Sequence, residues 1–147
     1  MKILIINGPN LNFLGIREPN IYGTMTYNEL CSSLTNYGKS KNINLDIQQT
    51  NYEGRIIDFL QDAYFDDSII GIILNAGAYT HYSYAIHDAI KSINKPVIEV
   101  HLSDPSKRDD FRHVSVIESV CKATFKGEGI NSYYNAIDYL SEIANKI

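Results

Sequence analysis

Cysteine is scarce: Cys31 and Cys121 are the only two in 147 residues. So few thiols exclude a disulfide framework and a zinc ribbon, and a reducing, cytoplasmic setting is expected. Basic residues are not in excess. Thirteen Lys and Arg stand against 17 Asp and Glu, a net charge of −4. That balance lacks the basic footprint of a non-specific nucleic-acid binder, so no nucleic-acid partner is expected. The apolar run nearest the N-terminus, residues 3–6, is far too short for a signal-peptide core or a membrane span, so no membrane partner is expected. Tryptophan is absent, whereas tyrosine occurs 11 times. What remains is globular: 44% hydrophobic and 20% charged. The length predicts a single domain over residues 1–147. Such a chain buries about two thirds of its unfolded surface, enough for a core without metal or disulfide staples. It leaves little room for a deep internal cleft, so a closed pocket would need a lid or a neighbouring subunit.

No repeat, linker or low-complexity stretch interrupts the chain. Short apolar runs rich in β-branched residues predict buried strands at 3–6, 69–74, 97–100 and, more weakly, 120–125. Alternation at 43–47 predicts a strand nearer an edge. Helices are predicted between them. Thr26 and Glu29 have capping-box spacing, followed by Leu30, Leu34 and Tyr37 on one face. Ile56, Ile57, Leu60 and Tyr64 form a second stripe, and Ala85, Ile86, Ala89, Ile90 and Ile93 a third. The last helix carries Tyr133, Ile137, Leu140 and Ile143 or Ala144. Strand and helix alternate throughout, which means a parallel sheet covered on both faces. Five strands predict an α/β, flavodoxin-like three-layer sandwich with a five-stranded parallel sheet in the order 2-1-3-4-5.

Open α/β sheets bind ligands beyond the carboxyl ends of their strands. Residues 7–23, 75–82 and 101–113 leave strands 1, 3 and 4 there, and they carry the richest chemistry of the chain. The first segment is about 17 residues long, well beyond the usual 2–6 of a strand-to-helix loop, which is the length of a lid or binding loop. Its glycine spacing matches neither a P-loop nor a dinucleotide fingerprint. Arg17 and Tyr22 on this loop admit two readings. One is a surface cation with a packing aromatic; the other is a phenol whose anion the guanidinium stabilises. In the second segment, Asn75 and His81 offer uncharged hydroxyl-recognising groups, and Thr80 or Ser83 serves equally as an ordinary helix cap. Asp88 reads most simply as a solvated helix residue. In the third, Glu99 and His101 are two apart on a strand and share a face. A carboxylate inside an apolar strand is costly unless paired. Beside an imidazole it fixes the tautomer and favours the protonated ring, so His101 is a candidate general acid. The four histidines lack zinc spacing, no Gly-x-Ser-x-Gly elbow occurs, and both cysteines fall in apolar-periodic positions that read as core.

Four motifs in order then carry a resemblance. They are Ile6-Asn7-Gly8-Pro9-Asn10-Leu11-Asn12 running through Arg17-Glu18-Pro19 to Tyr22-Gly23; Gly77-Ala78-Tyr79-Thr80-His81; Glu99-Val100-His101-Leu102-Ser103; and Arg108-Asp109-Asp110-Phe111-Arg112-His113. Together they resemble the type II 3-dehydroquinate dehydratases of the shikimate pathway, over essentially the whole chain. The resemblance implies a hydro-lyase that needs no cofactor or metal and assembles as a homododecamer, a tetramer of trimers. The implied reaction takes water from 3-dehydroquinate to give 3-dehydroshikimate through an enolate. Tyr22 matches the base and His101 the acid, with Glu99 behind it. Arg17 matches the group that activates the tyrosine, and Arg108 adds to the field. Asn10 matches the holder of a water at the enolate oxygen. Asn75, His81 and Arg112 match contacts to ring hydroxyls. Leu102 and Ser103 match the backbone site for the substrate carboxylate. Asp88 matches a residue that reaches a neighbouring subunit's site. The sequence departs from the commoner pattern at Ala76, where Pro is frequent, at His87, where Arg is frequent, and at Asp104, where Asn is usual. Residues 114–119 and Gly127-Glu128-Gly129 are also less typical. A small-anion binding module without turnover is the alternative from a different class: it would use the same arginines and need no base.

Overall fold

The computed structural model describes residues 1–146, with the side chain of Tyr22 outside the described part. Five parallel strands form one sheet in the order β2-β1-β3-β4-β5. They are β1 (Lys2–Asn7), β2 (Asn44–Gln49), β3 (Ile69–Asn75), β4 (Val97–His101) and β5 (Ala123–Lys126). The helices are α1 (Pro19–Tyr22), α2 (Tyr27–Ser40), α3 (Glu53–Tyr64), α4 (Tyr84–Ser92) and α5 (Ile130–Asn145). This is the α/β architecture and strand order expected from the alternation of apolar runs.

Strand side chains alternate between faces, and the central strands are apolar on both. Leu4, Ile6, Ile72 and Leu74 pack with Ile56 and Leu60 of α3 and Ile86 and Ile90 of α4. Ile3, Ile5, Ile73, Ile98 and Val100 pack on the opposite side with Leu30 and Leu34 of α2 and Tyr133, Ile137 and Leu140 of α5. Two helices thus cover each face. Gly71 permits the closest of these approaches, since a Cβ there would lie 2.5 Å from Leu140 Cδ2. The capping box forms as expected: Glu29 N donates to Thr26 Oγ1 at 3.1 Å, and Thr26 N to Glu29 Oε1 at 3.3 Å.

Several expectations shift. The weak fifth strand begins at Ala123 rather than at 120. Residues Glu118–Val120 instead make a 3-10 turn, closed by Cys121 N donating to Glu118 O. Ala85 is exposed, because it lies about 100° around the helix from Ile86, at the edge of the stripe. Tyr64, in the last turn of α3, is 44% exposed. The two cysteines are half-buried rather than in the core proper. The long first loop contains a 3-10 turn at Leu11–Phe13 and the short α1, which Pro19 opens with its preset φ. Among the described residues, no helix is long and apolar enough to cross a membrane.

Candidate active site

The sheet reverses its direction of growth between β1 and β3. At that switch point the last residues of the two strands, Asn7 and Asn75, stand in register. Their loops diverge from there, and two glycines let the backbones touch. A Cβ on Gly8 would sit 2.8 Å from the Ala76 carbonyl carbon and oxygen, and Gly8 N donates to Asn75 O at 2.7 Å. Gly77 adopts φ +60°, a left-handed conformation that favours glycine, directly against Pro9. Beneath them Tyr133 donates to Asn7 Oδ1 at 2.7 Å and accepts from Asn75 Nδ2 at 3.0 Å. Asn75 Oδ1 in turn accepts from Gly77 N at 3.2 Å. Burial holds the Tyr133 phenol well above its ordinary range despite the Asn75 hydrogen bond, so it serves as a neutral buried link. The amide of Asn75 is therefore aimed by the core before any ligand arrives.

A cleft of about 590 Å³, including the space open at its mouth, lies above this switch point. It gathers Asn10 and Arg17 from the first loop, Asn75 and His81 from the second, and His101, Leu102, Ser103, Arg108 and Arg112 from the third. Three of the four arginines thus line one cleft in a chain of net charge −4. Arg112 Nε is buried and has no hydrogen-bond acceptor among the described residues; Asp109 stands 3.7 Å away. Glu18 reaches back toward the arginines, 2.8 Å from Arg17 and 3.8 Å from Arg108. The Arg17 hydrogen bond leads in holding its carboxyl below the usual range, with the charges of Arg17, Arg108 and Arg112 adding to it. Leu102 and Ser103 carbonyls accept from Gly129 and Gly127 amides, which ties the turn after β4 to the turn after β5.

His101 has Glu99 behind it. His101 Nε2 lies 2.6 Å from Glu99 Oε2, with the Glu99 side chain 0% exposed. Burial alone pushes the Glu99 carboxyl up. The hydrogen bond and charge of His101, with hydrogen bonds from Thr80 and Ser115, outweigh it and hold the group below its ordinary 4.5. An ionised carboxylate only accepts hydrogen bonds. Nε2 is then the protonated nitrogen facing Glu99, and Nδ1 is the ring's remaining nitrogen. His81 donates from Nδ1 to Val114 O at 2.8 Å, since a carbonyl can only accept. Burial, helped by the charges of His101 and Arg112, outweighs that bond and lowers its pKa, leaving a neutral ring with Nε2 as an acceptor.

Asp88 does not line the cleft of its own chain. It is exposed on α4, with Oδ1 2.9 Å from His87 Nδ1. Tyr22 ends α1 on the first loop, and its side chain lies outside the described residues. Among the described residues, no three His, Cys, Asp or Glu side chains gather as metal ligands.

Residues 1–141 match the family model described as dehydroquinase class II. The chain belongs to that family. This class II dehydroquinase chain is 51% identical over 142 residues to the 3-dehydroquinate dehydratase of Caldicellulosiruptor bescii, covering 97% of each chain. It is 51% identical over 148 residues to the 3-dehydroquinate dehydratase of Fusobacterium nucleatum, covering 99% of this chain and 100% of the other. The crystal structure of a type II dehydroquinase from Butyrivibrio crossotus matches with a TM-score of 0.93 at 54% identity, covering 96% of this chain and 97% of that one.

Sequence reasoning missed four contributors to the dehydroquinase cleft. Glu18 carries no role beyond its place in the first motif, Tyr133 reads as part of the last helix's apolar stripe and Thr80 as a helix cap; Ser115 stands out in no motif. The cap of α4 is Ser83, whose hydroxyl accepts from Ile86 N at 3.0 Å. Thr80 instead turns its hydroxyl onto Glu99 at 2.8 Å. The one available signal was Glu99 itself, since a buried carboxylate with two oxygens demands more donors than one imidazole.

Proposed function

We propose that this class II dehydroquinase chain is a 3-dehydroquinate dehydratase, eliminating water reversibly from 3-dehydroquinate to give 3-dehydroshikimate. Two relatives at about half identity carry that name. The observation that carries the reading is the 2.6 Å His101–Glu99 pair, set at a cleft lined by three arginines. A binding module needs the arginines for an anion. It has no use for a fully buried carboxylate spent on one imidazole.

In the proposed mechanism the Tyr22 phenolate removes a proton from the carbon next to the ketone. The C–H electrons form an enolate, and Asn10 holds a water against its oxygen. Arg17 stabilises the phenolate, and Arg108 adds positive field. Collapse of the enolate breaks the bond to the departing hydroxyl, which takes a proton from His101 and leaves as water. Glu99 holds the imidazole in orientation while it gives up that proton. The proton on Tyr22 then returns to His101 or solvent to reset the pair. Asn75, His81 and Arg112 hold ring hydroxyls, and the backbone of Leu102 and Ser103 holds the carboxylate. No cofactor enters this scheme. The domain spans 1–147, works in the cytoplasm, and assembles as a dodecamer of four trimers in which Asp88 serves a neighbouring subunit's site.

The test is direct. Purified chain is incubated with 3-dehydroquinate, and the conjugated enone is followed by ultraviolet absorbance. Tyr22→Phe is expected to lose turnover by 100-fold or more, on the order of what a positioned base contributes, while still binding substrate. Wild-type turnover in Tyr22→Phe would remove the assigned base.

A further inference from the structure

We propose that Ser115 and Thr80 are positioning residues that clamp the Glu99 carboxylate against His101 through their hydroxyl groups. Glu99 is buried, and its oxygens must be satisfied within the protein. Oε2 receives His101 Nε2 at 2.6 Å and Thr80 Oγ1 at 2.8 Å. Oε1 receives Ser115 Oγ at 3.0 Å, and that hydroxyl is equally near Oε2 at 2.9 Å. Thr124 Oγ1, at 3.5 Å, is at the limit of a hydrogen bond.

The proton inventory decides the direction of these bonds. Ser115 Oγ already accepts from Glu118 N at 3.2 Å, so its single proton is left for Glu99. Thr80 has one proton, and the carboxylate is its shortest acceptor; the 3.0 Å contact between the two hydroxyls is then a side-by-side approach. One imidazole proton and two hydroxyl protons therefore converge on one ionised group. An imidazole alone would leave the carboxylate free to rotate about its last bonds. Hydroxyls from two further segments lock both oxygens.

The clamp is itself built into the site. Val116 N donates to Thr80 O at 2.8 Å, and Val114 O accepts from His81 Nδ1 at 2.8 Å. Residues 114–116 thus hold the Thr80 backbone, the His81 ring and the Glu99 carboxylate together.

The activity arm of the test rests on the dehydratase reading, and a titration arm does not. Initial rates are measured across pH for the full-length protein and for Ser115→Ala, Thr80→Val and Ser115→Thr. Ser115→Ala and Thr80→Val are each expected to lower kcat about threefold to fivefold, with KM within about twofold of wild type. Losing a donor raises the pH at which Glu99 ionises, so the Glu99 carboxyl titration moves up by about one pH unit. His81, Arg112, His113, Glu118 and Lys126 face the same cavity as Glu99, the charge of Glu99 helps to hold the Cys121 thiol neutral, and His101 pairs with Glu99. All remain in every variant, so the shift between variants reports Glu99. Ser115→Thr is expected to recover most of the rate lost in Ser115→Ala. The Glu99 carboxyl resonance, titrated by 13C NMR, is expected to move to higher pH in Ser115→Ala whatever the turnover.

Active wild type with unchanged kcat and an unmoved Glu99 titration in both hydroxyl deletions overturns the clamp. Wild type without turnover overturns the dehydratase reading instead, and the Glu99 titration then decides the clamp alone. If Ser115→Ala does not fold, Thr80→Val, which nearly conserves shape, carries the same test.

Discussion

Replacing Glu99 by Gln removes one charge from the centre of the site and almost no volume. The side chain is 0% exposed, so no water compensates the change. In the native protein the Glu99–His101 hydrogen bond, 2.6 Å long, joins a charged acceptor to the ring that delivers the proton. Hydrogen bonds to charged groups contribute about 1.5–3 kcal/mol, against about 0.5–1.5 kcal/mol for neutral ones. The difference, roughly 1–2 kcal/mol, is withdrawn most fully where the ring carries its proton. That corresponds to a fall in kcat of roughly 5- to 30-fold at neutral pH. Stability responds too. The His101, Thr80 and Ser115 hydrogen bonds outweigh the desolvation cost of the carboxylate, so weakening them lowers stability at neutral pH. Its pH dependence has a definite sign. The folded protein holds Glu99 below 4.5, so its contribution is present above that value and is lost as pH falls through the lower, folded one. The Gln variant has no such loss, and its stability relative to wild type therefore rises below about pH 4.5. Initial rates by enone absorbance and urea denaturation at neutral and acid pH measure both effects. A Glu99→Gln enzyme with wild-type kcat would refute the role given to the carboxylate.

Two further outcomes are expected. Arg112→Ala removes a guanidinium whose Nε is buried without a hydrogen-bond acceptor among the described residues, so it should raise KM about tenfold or more while kcat changes little; steady-state kinetics decide this. Gly71→Ala places a Cβ 2.5 Å from Leu140 Cδ2, which should cost about 1–3 kcal/mol of stability through overpacking between β3 and α5; a thermal melt equal to wild type would show that the helix moves aside freely.

Much of the fold was legible because its signals are local. The run at 69–74 marks a buried strand wherever it occurs, and Thr26 with Glu29 caps a helix through bonds spanning three residues. The weak fifth strand was displaced because the hydrogen bond from Lys122 N to Val97 O, at 2.9 Å, starts its alignment with β4 from the partner strand. Ala85 looked like core because an alanine carries almost no polarity signal, and only the packing of α4 decides which edge of the stripe is covered. The Glu99–His101 pair was visible as a two-residue spacing on a strand. Ser115 was not, because it lies 16 residues from Glu99 in a segment without regular structure.

The sequence by itself determined the layers, the strand order and the three loops that carry the arginines, since these follow from apolar periodicity and the rules of parallel connection. The tertiary structure alone decided what satisfies Glu99. A hydrogen bond depends on distance and direction, and neither is written in the spacing of residues from different segments. Thr80 follows β3, Glu99 lies in β4 and Ser115 precedes β5; only the folded sheet brings them within 3.0 Å of one another. Tyr133 shows the same division. Its apolar ring told the sequence where to bury it, and the fold decided that its hydroxyl would join Asn7 to Asn75, 126 and 58 residues away.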